Sequence, residues 1–142
     1  PGGLAGMGWA MPAALALKLV HPDRKVVAVT GDGGFMMSVN AIQTAIQYKL
    51  PVVFVVMNDA ALGMVRMSQG ERAIVSEFGD VDHGTIARGF GAFGVQVRDP
   101  KEFPSAMAEA MAFDGPAVID AVISRAASIN DVRNSPRLET ET

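Results

Sequence analysis

Two β-branched runs restrict the fold more than any other feature of this chain. VVAVT (residues 26–30) and VVFVVM (52–57) are short, apolar and uninterrupted, the pattern of strands covered on both sides by helices. Between them Val39, Ile42 and Ile46 recur at helical spacing, with Ser38 as a plausible N-cap and an end near Leu50-Pro51. A strand, a helix and a strand in that order make two parallel strands joined by a right-handed crossover. Both strands then finish on one edge of the sheet, where open α/β sheets bind ligands.

The alternation extends along the chain. GWAMPAALALKLV (8–20) reads as a helix stopped by His21-Pro22, apolar on nearly every face and therefore buried. GTIARGFG (84–91) reads as a short helix, GVQV (94–97) as a strand, KEFPSAMAEAMA (101–112) as a helix and PAVIDAVI (116–123) as a last strand. The expectation is an α/β domain over residues 1–124, a parallel sheet flanked by helices on both faces. Residues 125–142 turn polar with no apolar periodicity and read as a solvated tail.

Composition narrows the functions. A length of 142 residues, 49% of them apolar, suits one domain with a core of its own. The absence of cysteine rules out disulfides, thiolate metal sites and sulfur redox chemistry, and suits a cytoplasmic location. A net charge of −3 with scattered basic residues builds no stripe for a nucleic acid. The apolar runs fall well short of the roughly 20 residues a bilayer demands, and PGGLAGMGW lacks the charged start of a signal peptide.

Chemistry concentrates where the first two strands end. Gly31-Asp32-Gly33-Gly34 follows the first strand directly. Glycines let backbone approach a ligand closely, and a carboxylate there can hold a hard cation while N–H groups face a phosphate. A tight turn whose aspartate caps the next helix accounts for the tetrad equally well. The dinucleotide fingerprint fails because Met36 stands where its third glycine belongs, and the P-loop lysine is missing. Asn58-Asp59 follows the second strand, so the two loops adjoin and their oxygens can meet on one magnesium or calcium ion.

GDGGF, a 24-residue span from Gly34 to Met57, and then Asn58-Asp59 together resemble the GDG…NN signature of thiamine-diphosphate enzymes, in their diphosphate-binding domain. GMGWAMPAALALKL resembles the segment before that signature in acetolactate synthase large subunits, and LGMVRMSQ the segment after it. The resemblance implies that Asp32, the Asp59 side chain and the Ala61 carbonyl ligate magnesium. It implies cofactor contacts from Ala5, Gly6, Met7, Gly31, Asp32, Gly33, Gly34, Asn58, Ala61, Leu62, Gly63 and Met64. Met7 would prop the cofactor in its bent form, unless it merely fills core, and Asn58 would order the loop. Asp59 departs from the family's usual asparagine, and Ser68 stands where many acetolactate synthases carry a tryptophan.

The implied activity is decarboxylation of pyruvate or a related 2-oxo acid and transfer of the enamine to a second carbonyl. A 2-oxo-acid decarboxylase or another carboligase is the alternative, and a non-catalytic α/β metal-binding module the non-enzyme one, although a receiver would need an acidic pair and a lysine that this spacing does not supply. The family's activating glutamate belongs to a pyrimidine-binding domain, of the same or a neighbouring subunit, that no segment here matches. The resemblance also leads us to expect that the first strand and helix of the family's domain are not part of this chain. These features lead us to expect a part of a larger homodimer or homotetramer, inactive alone, with any FAD on another domain. His21 and His83 read as solvated loop histidines, Trp9 as packing and Asp120 as a structural strand residue. Arg66 and Gln69 fit either a substrate channel or an exposed helix face.

Overall fold

The computed structural model describes Leu4 and residues 6–125. Four strands, β1 (Val26–Gly31), β2 (Val52–Asn58), β3 (Phe93–Val97) and β4 (Ala117–Val122), form one sheet in the order β1-β2-β4-β3. Every pairing is parallel. The register sets Gly31 beside Met57 and Asn58 beside Val122, so the carboxyl ends of the three strands lie level. The helices are α1 (Ala10–Val20), α2 (Asp32–Met37), α3 (Ala41–Gln47), α4 (Gly63–Gln69), α5 (His83–Phe90) and α6 (Phe103–Ala112).

Side chains alternate along each strand and divide the core in two. Val52, Phe54 and Val56 of β2 pack with Met11 of α1, Phe35 of α2, Ile42 of α3 and Ala87 of α5 on one face. Val53 and Val55 pack on the other face with Ile119 of β4 and with Ala106 and Ala110 of α6. Fully burying one Val, Leu, Ile or Phe side chain stabilises by about 1.5–3 kcal/mol, so β2, buried on both faces, is the fold's anchor.

Three expectations need correction. β1 is covered on one face only: α6 packs on β3 and β4, and Val27 and Val29 stay 41% and 59% exposed. α1 likewise buries a single stripe of Met11, Ala14, Leu15 and Lys18 and exposes Leu17, Leu19 and Val20. Lys18 is tolerated inside because its ammonium donates to the Pro22 and Arg24 carbonyls, each at 2.7 Å. Ser38 begins no helix. It closes α2, its hydroxyl donating to the Gly34 carbonyl, and the chain turns once before α3 starts. The tail expected over 126–142 and the role expected of Ala5 lie outside the described residues; Arg125, expected in that tail, is folded against the domain.

Candidate functional site

β1 runs straight into α2 at Gly31, which leaves Asp32 as the first helical residue at the sheet's carboxyl edge, only 3% exposed. Its carboxylate accepts from Gly33 N–H at 2.7 Å and, across the edge, from Ala61 N–H at 3.1 Å. The second bond ties the loop after β1 to the loop after β2. Burial pushes the Asp32 carboxyl above its ordinary value; the two backbone bonds pull it down, the charge of Asp59 pushes it up again, and His83 lowers it. A cation between Asp32 and Asp59 would offset both upward pushes.

The loop after β2 is shaped by Asn58. Its Oδ1 accepts from Ala60 N–H at 3.0 Å, an Asx-type turn that holds Ala60 at a φ of 53°. Leu62 N–H donates to Ser76 O and Phe78 N–H to Ala60 O, both at 2.8 Å, so residues 76–78 stitch the loop from outside. Arg125 clamps it further, Nε donating to the Asp59 carbonyl at 2.5 Å and Nη2 to the Ala60 carbonyl at 2.8 Å. None of these bonds uses the Ala61 carbonyl. Arg125 is thus part of the site rather than of a solvated tail, and it also reaches Glu77, which Arg66 holds at 2.6 Å.

Between the loops and α4 opens a groove of about 540 Å³. Gly6, Met7, the Gly31–Gly34 turn, Asp59 and the Ala61–Met64 segment all line it. Of the described residues named from the sequence as cofactor or metal contacts, Asn58 alone is off the wall, 3% exposed beneath the loop. Close approach explains two glycines. A Cβ on Gly33 would stand 2.6 Å from Leu62 Cδ2 and 3.0 Å from Met7 Cε, and one on Gly63 would strike the Asp59 carboxylate.

Among the described residues no group of three acidic, histidine or cysteine side chains is placed to hold a metal. Two carboxylates with a backbone carbonyl fit a hard cation that completes its shell from water and a ligand's phosphates. The site therefore suits a metal-bridged anion.

Several residues behave differently from expectation. Trp9 is not packed away but 54% exposed at the groove, beside Met7 at 50%. His83 is no solvated loop residue: it opens α5, is 3% exposed, and has Nδ1 3.2 Å from Asp120 Oδ1. Arg66 and Gln69 lie on α4, none of whose residues is buried, Arg66 pairing with Glu77 and Gln69 bonding Ile74 and Ser76, which fits the exposed helix face. Sequence reading passed over Arg125 and the His83–Asp120 pair. Asp82 ahead of Gly84-Thr85 was the available signal for the pair, since its carboxylate accepts from Thr85 N–H at 2.8 Å as an N-cap and sets where α5 begins.

Comparison with known proteins agrees with this geometry. A family model described as thiamine pyrophosphate enzyme, C-terminal TPP binding domain, matches residues 1–121. The chain is 36% identical over 131 residues to the acetolactate synthase of Bacillus subtilis (strain 168), covering 90% of this chain and 23% of that protein. It is 38% identical over 115 residues to the acetolactate synthase isozyme 3 large subunit of Escherichia coli (strain K12), covering 78% and 20%. Among solved structures, the Rhodococcus jostii RHA1 thiamine diphosphate-dependent 4-hydroxybenzoylformate decarboxylase superposes with a TM-score of 0.75 at 30% identity, covering 84% of this chain and 24% of that one. The chain thus spans between a fifth and a quarter of the length of these proteins. With sheet order, loop glycines and matched span in agreement, this chain belongs to the thiamine pyrophosphate enzyme family, as its C-terminal TPP-binding domain.

Proposed function

We propose that the chain binds the diphosphate end of thiamine diphosphate through a magnesium ion, as part of a 2-oxo-acid carboligase resembling acetolactate synthase. The observation that carries this reading is the convergence of Asp32 and Asp59 on one groove whose wall is glycine at positions 33, 34 and 63. When bound, the cofactor supplies the electron sink for decarboxylating a 2-oxo acid such as pyruvate.

The chain's residues supply placement. Asp32, Asp59 and the Ala61 carbonyl would hold the ion, with Asp32 kept in position by its bonds to Gly33 and Ala61. Asp59 adds a negative charge where the family's asparagine has none, which strengthens the hold on a divalent cation and repels the diphosphate. Gly33 and Gly34 let backbone approach the phosphates. Met7 and Leu62 meet over Gly33 and would prop the bound molecule, an orientation effect. The likeness to a solved decarboxylase favours a second reading, a 2-oxo-acid decarboxylase with the same cofactor.

Exposed apolar residues support a larger enzyme. Met7, Trp9, Met36, Met37 and Met64 rim the C-terminal edge at 49–80% exposure, an apolar surface of the kind that marks an interaction site. A pyrimidine-binding domain of the same or a neighbouring subunit would cover it and supply the activating glutamate, so this chain alone is inactive. The whole would be a cytoplasmic homodimer or homotetramer, any FAD being held elsewhere. No helix of the described residues is long and apolar enough to cross a membrane.

Calorimetry of the full-length enzyme tests the proposal. Thiamine diphosphate should bind only with magnesium present, and Asp32→Ala should abolish binding while the protein stays folded. Unchanged binding after chelation refutes the metal assignment.

A further inference from the structure

A buried polar chain lies directly beneath the loop after β2. Asp120 of β4 is fully buried, and His83 and Asn58 are each 3% exposed. Asp120 Oδ2 accepts from His83 N–H at 2.9 Å and from Gln96 Nε2 at 2.9 Å. Its Oδ1 has no hydrogen-bond partner, and His83 Nδ1 stands 3.2 Å away. Asn58 Nδ2 donates to the Val81 carbonyl at 3.2 Å and lies 3.3 Å from the same ring nitrogen. Phe35, three residues beyond Asp32, sets its ring edge-on to the imidazole at 5.1 Å and 80°.

The tautomer follows from the cost of an orphaned charge. A buried carboxylate oxygen without a donor costs about 1–3 kcal/mol or more. Were Nδ1 bare and accepting from Asn58, Asp120 Oδ1 would be that oxygen. We therefore assign the proton to Nδ1, the ring nitrogen that stands 3.2 Å from that oxygen. The Asn58 amide is left to its contacts with Val81 O and Ala60 N–H, and it is these that fix the loop.

We propose that the Asp120–His83 pair is the positioning device for the metal-binding loop, acting through Asn58. If the ring N–H is removed, Asp120 Oδ1 faces no ring donor, and the Asn58 amide, 3.3 Å from the same ring nitrogen, is the replacement. Turning toward Asp120 would release Val81 O and Ala60 N–H, and with them the placement of Asp59 and Ala61. The inference rests on the proposed magnesium and thiamine diphosphate site and names residues outside it that set its affinity. Outer-shell changes of this kind lower metal affinity about 10–100-fold.

The test is calorimetric titration of Mg²⁺ into the full-length enzyme with thiamine diphosphate present. His83→Phe keeps ring volume but loses the donor, and it should weaken Mg²⁺ about 10–100-fold. His83→Asn puts an amide N–H where Nδ1 stood, and it should recover most of that loss. Simple core filling predicts the reverse order, because phenylalanine is nearer to histidine in volume than asparagine is. Unchanged affinity in His83→Phe, or the reverse order, overturns the proposal. The ¹⁵N imidazole spectrum of the unmutated enzyme tests it without any variant: a protonated Nδ1 supports it, and a bare Nδ1 overturns it. If the unmutated enzyme binds no thiamine diphosphate with Mg²⁺, the proposed function fails first; binding that is indifferent to His83→Phe refutes this inference alone.

Discussion

Gly33→Ala should separate folding from cofactor binding in a single substitution. The new Cβ would stand 2.6 Å from Leu62 Cδ2, 3.0 Å from Met7 Cε and 3.7 Å from Phe78 Cε2. All three atoms are far ends of side chains rather than backbone, so the chain can yield. Moving two side chains off their preferred rotamers costs about 0.5–1.5 kcal/mol each. Replacing glycine by alanine inside α2 returns about 1 kcal/mol of helix propensity. Net stability should therefore change by no more than about 2 kcal/mol, read as a small shift of the urea midpoint with an unchanged slope. The groove fares worse, because the methyl and the displaced Leu62 and Met7 occupy the wall nearest the proposed phosphate site. A loss of about 100-fold in thiamine diphosphate affinity, about 2.7 kcal/mol, is expected by calorimetry at saturating magnesium. Ordinary affinity in a folded variant would refute the close-approach argument. A variant that does not fold would refute the claim that only flexible side-chain ends are in the way.

Gly84→Ala is the contrasting case, because its Cβ would meet backbone atoms of Val95 at 2.8 Å and α5 cannot sit on β3 without moving; a loss of about 1–3 kcal/mol is expected in the same urea melts. Ala60→Gly should stabilise, since alanine at a φ of 53° carries a left-handed penalty of about 1–2 kcal/mol, and the greater freedom of glycine in the unfolded chain takes back about 0.4–1. Asp120 governs part of the acid response. Burial raises its carboxyl, but the His83 ring, Gln96 and the His83 N–H outweigh that and hold it below the ordinary carboxylate value. A depressed carboxyl contributes stability above its unfolded value and loses it as pH falls through the folded one. Asp120→Asn should therefore be less stable at neutral pH and show a flatter acid limb in melts taken down through the carboxylate range.

Much of this protein was legible in its residues because parallel strands buried by helices leave a periodic record. The runs at 26–30 and 52–57 placed β1 and β2, and their separation placed Asp32 and Asp59 on one edge. Sequence erred where a helix and strands of this composition leave a face uncovered. Apolar periodicity reports what can be buried, and only packing decides what is: Val27, Val29 and Leu17 read as core and stand exposed. It erred on Ser38 because a serine hydroxyl caps either end of a helix according to the local backbone, and here it turns back on Gly34.

The sequence by itself determined the order of strands and helices along the chain, the glycine-bounded aspartate and its partner loop, since these depend on near-neighbour residue types and on chain connectivity. Only the tertiary structure decided which residues hold that loop still. His83, Asp120 and Arg125 come from α5, β4 and the segment after it, and Arg125 meets Asp59 across 66 positions of chain. Such contacts leave no periodic trace, because a hydrogen bond depends on where two segments are brought by the packing of everything between them.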